Sequence, residues 1–156
     1  MTGISVWFAD FSDLFYKCFI KDDRYRLLVS GVGVTIKVSL LAVLIGILIG
    51  ILVAVSNLSR NKLFKAIGSI YTDVIRGTPS VTQLMVIYFV FFASVNLNKW
   101  IIAAIAFGVN SGAYVSEIIR GGILSVDHGQ TEAGRSLVLN AFQTMTRIVI
   151  PQAVKN

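Results

Sequence analysis

Three long stretches of the chain carry no charged side chain: residues 38–59, 77–98 and 100–116, of 22, 22 and 17 residues. At about 1.5 Å per helical residue, 22 residues reach about 33 Å, enough for a hydrocarbon core of about 30 Å. The third stretch reaches only about 25 Å and needs its flanks or a locally thinned bilayer. Residues 27–36 are also uncharged, so the first helix is read as starting ahead of Lys37, whose ammonium can reach for the surface. Lys99 and Trp100 suit an interface, where a cation snorkels and an indole sits among headgroups. The pattern predicts an all-α integral membrane chain with spans near 33–58, 79–97 and 99–117.

Small and polar positions inside these spans refine the picture. Ala42, Gly46, Gly50 and Ala54 stand four apart in the first, and Ala104, Gly108, Gly112 and Ser116 in the third. Residues four apart share a helix face, so each ladder is a groove that another backbone can approach closely. Glycine and alanine are also simply common in membrane helices. Gln83, Asn110 and Ser111 are polar and costly to leave facing lipid. Either they bond between helices or they line a path for a solute. In Arg76-Gly77-Thr78-Pro79, threonine can cap a helix whose first position suits proline.

Composition narrows the class. Hydrophobic residues make up 55% of the chain and charged residues 14%, where about 25% is usual, so a soluble or disordered chain is excluded. One cysteine, Cys18, and one histidine, His128, leave no zinc set. The intramembrane stretches also lack a His, Cys, Asp or Glu constellation for catalysis, so no enzyme is expected. The net charge of +6 comes wholly from residues 27–156, because Lys17, Lys21, Arg24 and Arg26 are balanced by Asp10, Asp13, Asp22 and Asp23. The excess cations flank apolar stretches, which indicates membrane orientation rather than nucleic acid. Arg60, Lys62, Lys65 and Arg76 between the first two spans, and the basic tail, place those segments in the cytoplasm and the N-terminus outside. Residues 1–26, with aromatics Trp7, Phe8, Phe11, Phe15 and Tyr16 among their acids, read as an interfacial, extracytoplasmic segment.

The tail is the most informative segment. Residues 130–137 can form a short helix with Glu132 in its first turn. Asn140 with Gln143 is a capping-box pattern opening a second helix over 141–149, which Pro151 ends. A helical hairpin hung from a bundle can dock a soluble partner; a connecting loop fits the same pattern.

The string Glu132-Ala133-Gly134, with Ile148, Ile150 and Pro151, resembles the EAA loop of ABC importer permeases. Gly129-Gln130, Gly121-Gly122-Ile123, Ala113-Tyr114, Glu117, Arg120, Arg76-Gly77-Thr78-Pro79 and Gln83 resemble the polar amino acid subfamily. The likeness covers roughly residues 27–156. It implies a type I importer-like transmembrane bundle with three of about five core spans present, so a C-terminally incomplete permease is expected, with 118–156 its cytoplasmic coupling segment. It further implies a bacterial inner-membrane transport subunit for polar amino acids that binds no cofactor itself. ATP would be used by a partner ABC ATPase dimer, alongside a second permease subunit and an extracytoplasmic solute-binding protein. Gly129, Gln130, Glu132, Ala133, Gly134, Arg135, Val138 and Pro151 would form the ATPase-coupling set. A permease for another small solute, or a shortened one that binds the ATPase without transporting, is the alternative. One departure stands out: Val138 occupies the position of the family's glycine, which follows the first helix and can turn left-handed.

Overall fold

The computed structural model describes residues 3–155, and among these the regular structure is entirely helical. Contacts divide the chain into two compact units, Met1–Ser39 and Leu40–Asn156.

The first unit opens with helix α1, Gly3–Phe15, followed by a wide π turn over Tyr16–Ile20 and a 3₁₀ turn over Lys21–Asp23. Asp22 and Asp23 sit at φ 57° and 55°, the left-handed region that aspartate enters more readily than most side chains. That turn leads into α2, Tyr25–Leu58, a helix of 34 residues that begins earlier than the expected 33 and carries Lys37 exposed within it.

In the second unit, α2 packs against α5, Lys99–Leu124, through the two small-residue ladders. A Cβ added to Gly46 would lie 2.8 Å from Ser111 Oγ, and one added to Gly50 would lie 3.2 Å from the Gly112 carbonyl. From the other side, a Cβ on Gly108 would lie 3.3 Å from the Ala42 carbonyl. Ala42, Gly46, Gly50 and Ala54 are buried on α2, and Ala104, Gly108, Gly112 and Ser116 on α5. The large side chains point the other way: Leu44, Leu48 and Leu52 are all exposed. This inside-out arrangement would leave an unusually large apolar surface in water, whereas lipid tails accept Leu and reward close backbone packing.

The charged segment between the first two spans, used above only for orientation, forms helix α3, Lys62–Arg76. Asn61 caps it, its side chain accepting from the Leu63 amide at 2.9 Å. Leu63, Phe64, Ile67, Ile70 and Val74 recur at helical spacing, a periodicity that counting charges overlooks. Gly68 of α3 meets Asn57 of α2, and the Tyr71 hydroxyl donates to the Val109 carbonyl of α5 at 2.5 Å.

After α3 the chain bends by 106° into α4, Ser80–Val86, prolonged by a π turn over Ile87–Phe91. The helix stops at Phe91, short of the expected 97. Pro79 is the N-cap rather than the first helical residue, and Thr78 does not cap α4. Its hydroxyl donates backward to the Val74 carbonyl at 2.9 Å, closing the end of α3. Among the described residues two helices, α2 and α5, are long and apolar enough to cross a membrane, or three spans result if α3 and the segment Ser80–Phe91 count as one broken span.

The tail folds as α6, His128–Ser136, α7, Ala141–Thr144, a π turn over Met145–Val149, and α8, Ile150–Ala153.

Candidate functional site

The tail hairpin is built from its caps. Asp127 starts α6, its carboxylate accepting from the Gly129 amide at 2.7 Å. The helix therefore begins two residues before the expected 130, and Glu132 lies beyond its first turn, where the dipole no longer stabilises it. Glu132 instead lies 3.3 Å from His128 Nδ1, one turn back on an exposed face. An aspartate two residues ahead of a glycine was the signal for this start.

The end of α6 explains the position of Val138. The Leu139 amide donates to the Gly134 carbonyl at 3.2 Å, and the Val138 amide to the Arg135 carbonyl at 2.9 Å. This pair of crossed bonds is a Schellman motif, and it requires a left-handed residue at Val138, whose φ is 61°. Asn140 and Gln143 then form the reciprocal capping box at 2.8 and 3.0 Å. Pro151 does not end the second helix. The π turn ahead of it moves the Ile150 amide onto the Met145 carbonyl, five residues back, and the helical path continues past Pro151 to Ala153.

The two arms close on Gly134. A Cβ there would meet Thr144 Cγ2 at 2.8 Å and Ile148 Cδ1 at 3.0 Å, so the alanine of the EAA pattern would crowd this contact. Gln152 Nε2 donates to Gln130 Oε1 at 3.2 Å, tying α8 to α6, and the Gly122 position of α5 abuts the Ala153 carbonyl. The Thr144 hydroxyl is buried and has no hydrogen-bond partner among the described residues. Glu132, Ala133, Arg135, Val138 and Pro151 face outward, as does Gly129. With Leu137 and Phe142 they give the hairpin an exposed, partly apolar outer face; Val138 is 90% exposed.

A second polar constellation lies at the bend between α3 and α4. Gln83 is buried, and its amide nitrogen donates to the Ile75 carbonyl at 2.6 Å and to the Thr78 hydroxyl at 2.7 Å. Its carbonyl accepts from Asn110 Nδ2 of α5 at 2.9 Å. Both ends of the Gln83 side chain are thus engaged by protein, and one of them satisfies a carbonyl at the open end of α3. Ser111 is not part of this network; it packs against Gly46 on the ladder side. Of the three polar in-span residues, the structure brings Gln83 and Asn110 together and leaves Ser111 apart. Beside them opens a cavity of about 610 Å³, lined among others by Ile75, Thr78, Gln83, Val86, Phe91 and Val109. Its walls are almost wholly apolar.

Two turns further along α5, Glu117 receives a two-pronged bond from Arg120, Nε at 2.9 Å and Nη2 at 2.8 Å. Arg76, the last residue of α3, approaches the same carboxylate at 3.5 Å and lies 5.5 Å from the centre of the Tyr114 ring. Charges three apart at the end of an apolar helix were the available signal for this cluster. It pins the bend to the same face of α5 as Gln83 does through Asn110, seven residues further on. Among the described residues, no group of three or more His, Cys, Asp or Glu is placed to hold a metal.

Residues 46–156 match the family described as binding-protein-dependent transport system inner membrane component. A Rickettsia felis protein named as a glutamine transport system permease is 44% identical over 135 residues, 85% of this chain and 62% of that protein. The L-cystine transport system permease protein of Bacillus subtilis is 36% identical over 137 residues, covering 87% of this chain and 58% of its own. The chain thus spans about three fifths of the length of these curated relatives. A solved structure, the crystal structure of an amino acid ABC transporter with histidines, matches with a TM-score of 0.69 at 37% identity. That match covers 99% of this chain and 67% of the other. The helix bundle is accordingly that of a type I ABC importer permease. Sequence match, relatives and fold agree, and the chain belongs to the family of inner-membrane components of binding-protein-dependent transport systems.

Proposed function

We propose that this chain forms part of the transmembrane permease of an ATP-driven importer for polar amino acids. The observation that carries the reading is the exposed hairpin α6–α8, which presents an EAA-type sequence directly after the long apolar helix α5. Relatives named for glutamine and cystine transport support the substrate class. In this reading the outer face of the hairpin, with Gly129, Gln130, Glu132, Ala133, Arg135, Val138 and Pro151, meets a partner ATPase that binds and hydrolyses ATP. Gly134 serves the same site from inside, by letting the two arms close. The permease itself makes and breaks no bonds. It moves between two access states with a second permease subunit, fed by an extracytoplasmic solute-binding protein.

The cation-rich α3 and the tail face the cytoplasm of the inner membrane in this reading, and the N-terminus lies outside. Gln83 and Asn110 border the solute path chiefly as its scaffold, since their amides hold each other and the bend. The test is uptake of labelled amino acids into vesicles holding the assembled importer. Glu132→Lys should reduce ATP-driven uptake severalfold while leaving membrane insertion intact. Unchanged uptake would refute the docking role of α6, and competition by sugars rather than amino acids would refute the substrate class.

A further inference from the structure

The N-terminal unit carries a feature that import leaves unused. Trp7, Phe11, Phe15 and Phe19 follow one another at four-residue spacing, with ring centroids 5.5, 6.4 and 4.8 Å apart. On a regular helix such a row drifts by about 40° at each step. The wider turn over Tyr16–Ile20 takes up that drift, and the step across it is the shortest of the three. Phe8 meets Trp7 edge-on at 5.2 Å. At helical spacing Leu14 shares this arc, Asp10 and Ser12 flank it on its two sides, and Asp13 lies opposite. Every ring of the ladder is exposed, Trp7 at 60% and Phe11 at 54%.

We infer that this aromatic ladder is a membrane-interface anchor, with α1 lying along the bilayer surface. Trp7, Phe11, Phe15 and Phe19 sink to the boundary between headgroups and acyl chains, and Asp10 and Asp13 stay in water. Three observations select lipid as the occupant. Residues 16–24 join α1 to α2, in which an 18-residue window reaches a mean hydropathy of 3.1, that of a membrane span. Nine residues reach at most about 30 Å, so α1 cannot leave the neighbourhood of the bilayer. Aromatic side chains, Trp above all, settle at headgroup depth. Finally, Lys21, Arg24 and Arg26 follow the ladder, with Asp22 and Asp23 among them, so that charged groups stand where the chain meets the headgroups. The inference rests on α2 crossing a membrane and not on what the permease carries.

The test uses the full chain with Trp100→Phe, which leaves Trp7 as its single tryptophan. It is reconstituted into phosphatidylcholine vesicles whose acyl chains carry bromine near the headgroup end or near the tail end. Headgroup-end bromines should remove most of the Trp7 emission, tail-end bromines little, and aqueous iodide little. Adding Phe11→Asp and Phe15→Asp should bring Trp7 within reach of iodide while α2 still holds the chain in the vesicle. Iodide quenching with the ladder intact would overturn the inference. So would protection from both quenchers, the mark of a protein covering the ladder. Strong quenching from the tail end would mean a buried span instead.

Discussion

Val138 offers a quantitative test of the tail hairpin. Its φ of 61° places a β-branched side chain in the left-handed region, at a cost on the order of 1–2 kcal/mol relative to a right-handed residue. Glycine at this position removes that cost but restores conformational freedom to the unfolded segment, which offsets about 0.5–1 kcal/mol. The side chain is 90% exposed, so its removal sacrifices almost no packing. The two hydrogen bonds of the turn are made by backbone atoms and survive the change. The balance favours Val138→Gly by about 0.5–1 kcal/mol, a two- to fivefold gain in the closed state of the turn. Hydrogen exchange of the Leu139 amide, which bonds to the Gly134 carbonyl, reads this directly in detergent or nanodiscs. Protection should rise by that factor in Val138→Gly, less in Val138→Ala, and in Val138→Asn because asparagine tolerates the conformation. Unchanged or lower protection in Val138→Gly would refute a strained left-handed turn. If the turn is strained, ATPase stimulation in the assembled importer should rise as well.

The other predictions concern packing. Gly134→Ala should lower the thermal stability of the protein by crowding Thr144, and Thr144→Ala should recover most of the loss in the double variant; additive losses would refute the direct contact. Gly112→Leu should separate α2 from α5 and cost several kcal/mol, because the added side chain meets Ile49 and Tyr71, whereas Gly31→Ala, with nothing within 4 Å, should be neutral or gain about 1 kcal/mol of helix propensity. Melting in detergent distinguishes the two, and equal effects would refute the ladder packing. Gln83→Leu leaves the Ile75 carbonyl and the Asn110 amide without partners and should destabilise by about 1–3 kcal/mol, while Asn110→Ala, removing a single bond to Gln83, should cost less; the reverse order in the same assay would show that Gln83 does not staple the bend.

Much of this chain was legible in one dimension because lipid makes simple demands. Long uncharged stretches must be helical, and every fourth residue being small marks a close-approach face, which is how α2 and α5 and their ladders could be read. The capping box at Asn140 and Gln143 was equally local, a pattern of two side chains and two amides within four residues. The demand at Val138 for a left-handed residue came from a family likeness and the logic of helix ends. Helix α3 is less legible in one dimension, because its cations give the segment a polar composition even though its apolar residues keep a helical period. The run through Pro151 is not legible in the sequence, because a π turn upstream absorbs the lost donor and no residue announces it.

What the sequence by itself determined was therefore the class of the molecule, its long apolar helices, the faces available for close packing and the existence of a capped hairpin after α5. Tertiary structure decided which ladder meets which, since either could have packed on any small-residue face. It also decided that Gln83 spends its amide on Ile75, Thr78 and Asn110, and that Arg76 joins Glu117 across 41 positions of chain. The fit of Gly134 against Thr144 and Ile148 is of the same kind. Caps and spans depend on neighbours within a turn or on the surrounding solvent, which a linear pattern encodes. Hydrogen bonds and contacts between helices depend on the bend at Gly77-Thr78-Pro79 and on backbone separations that exist only once the bundle has formed.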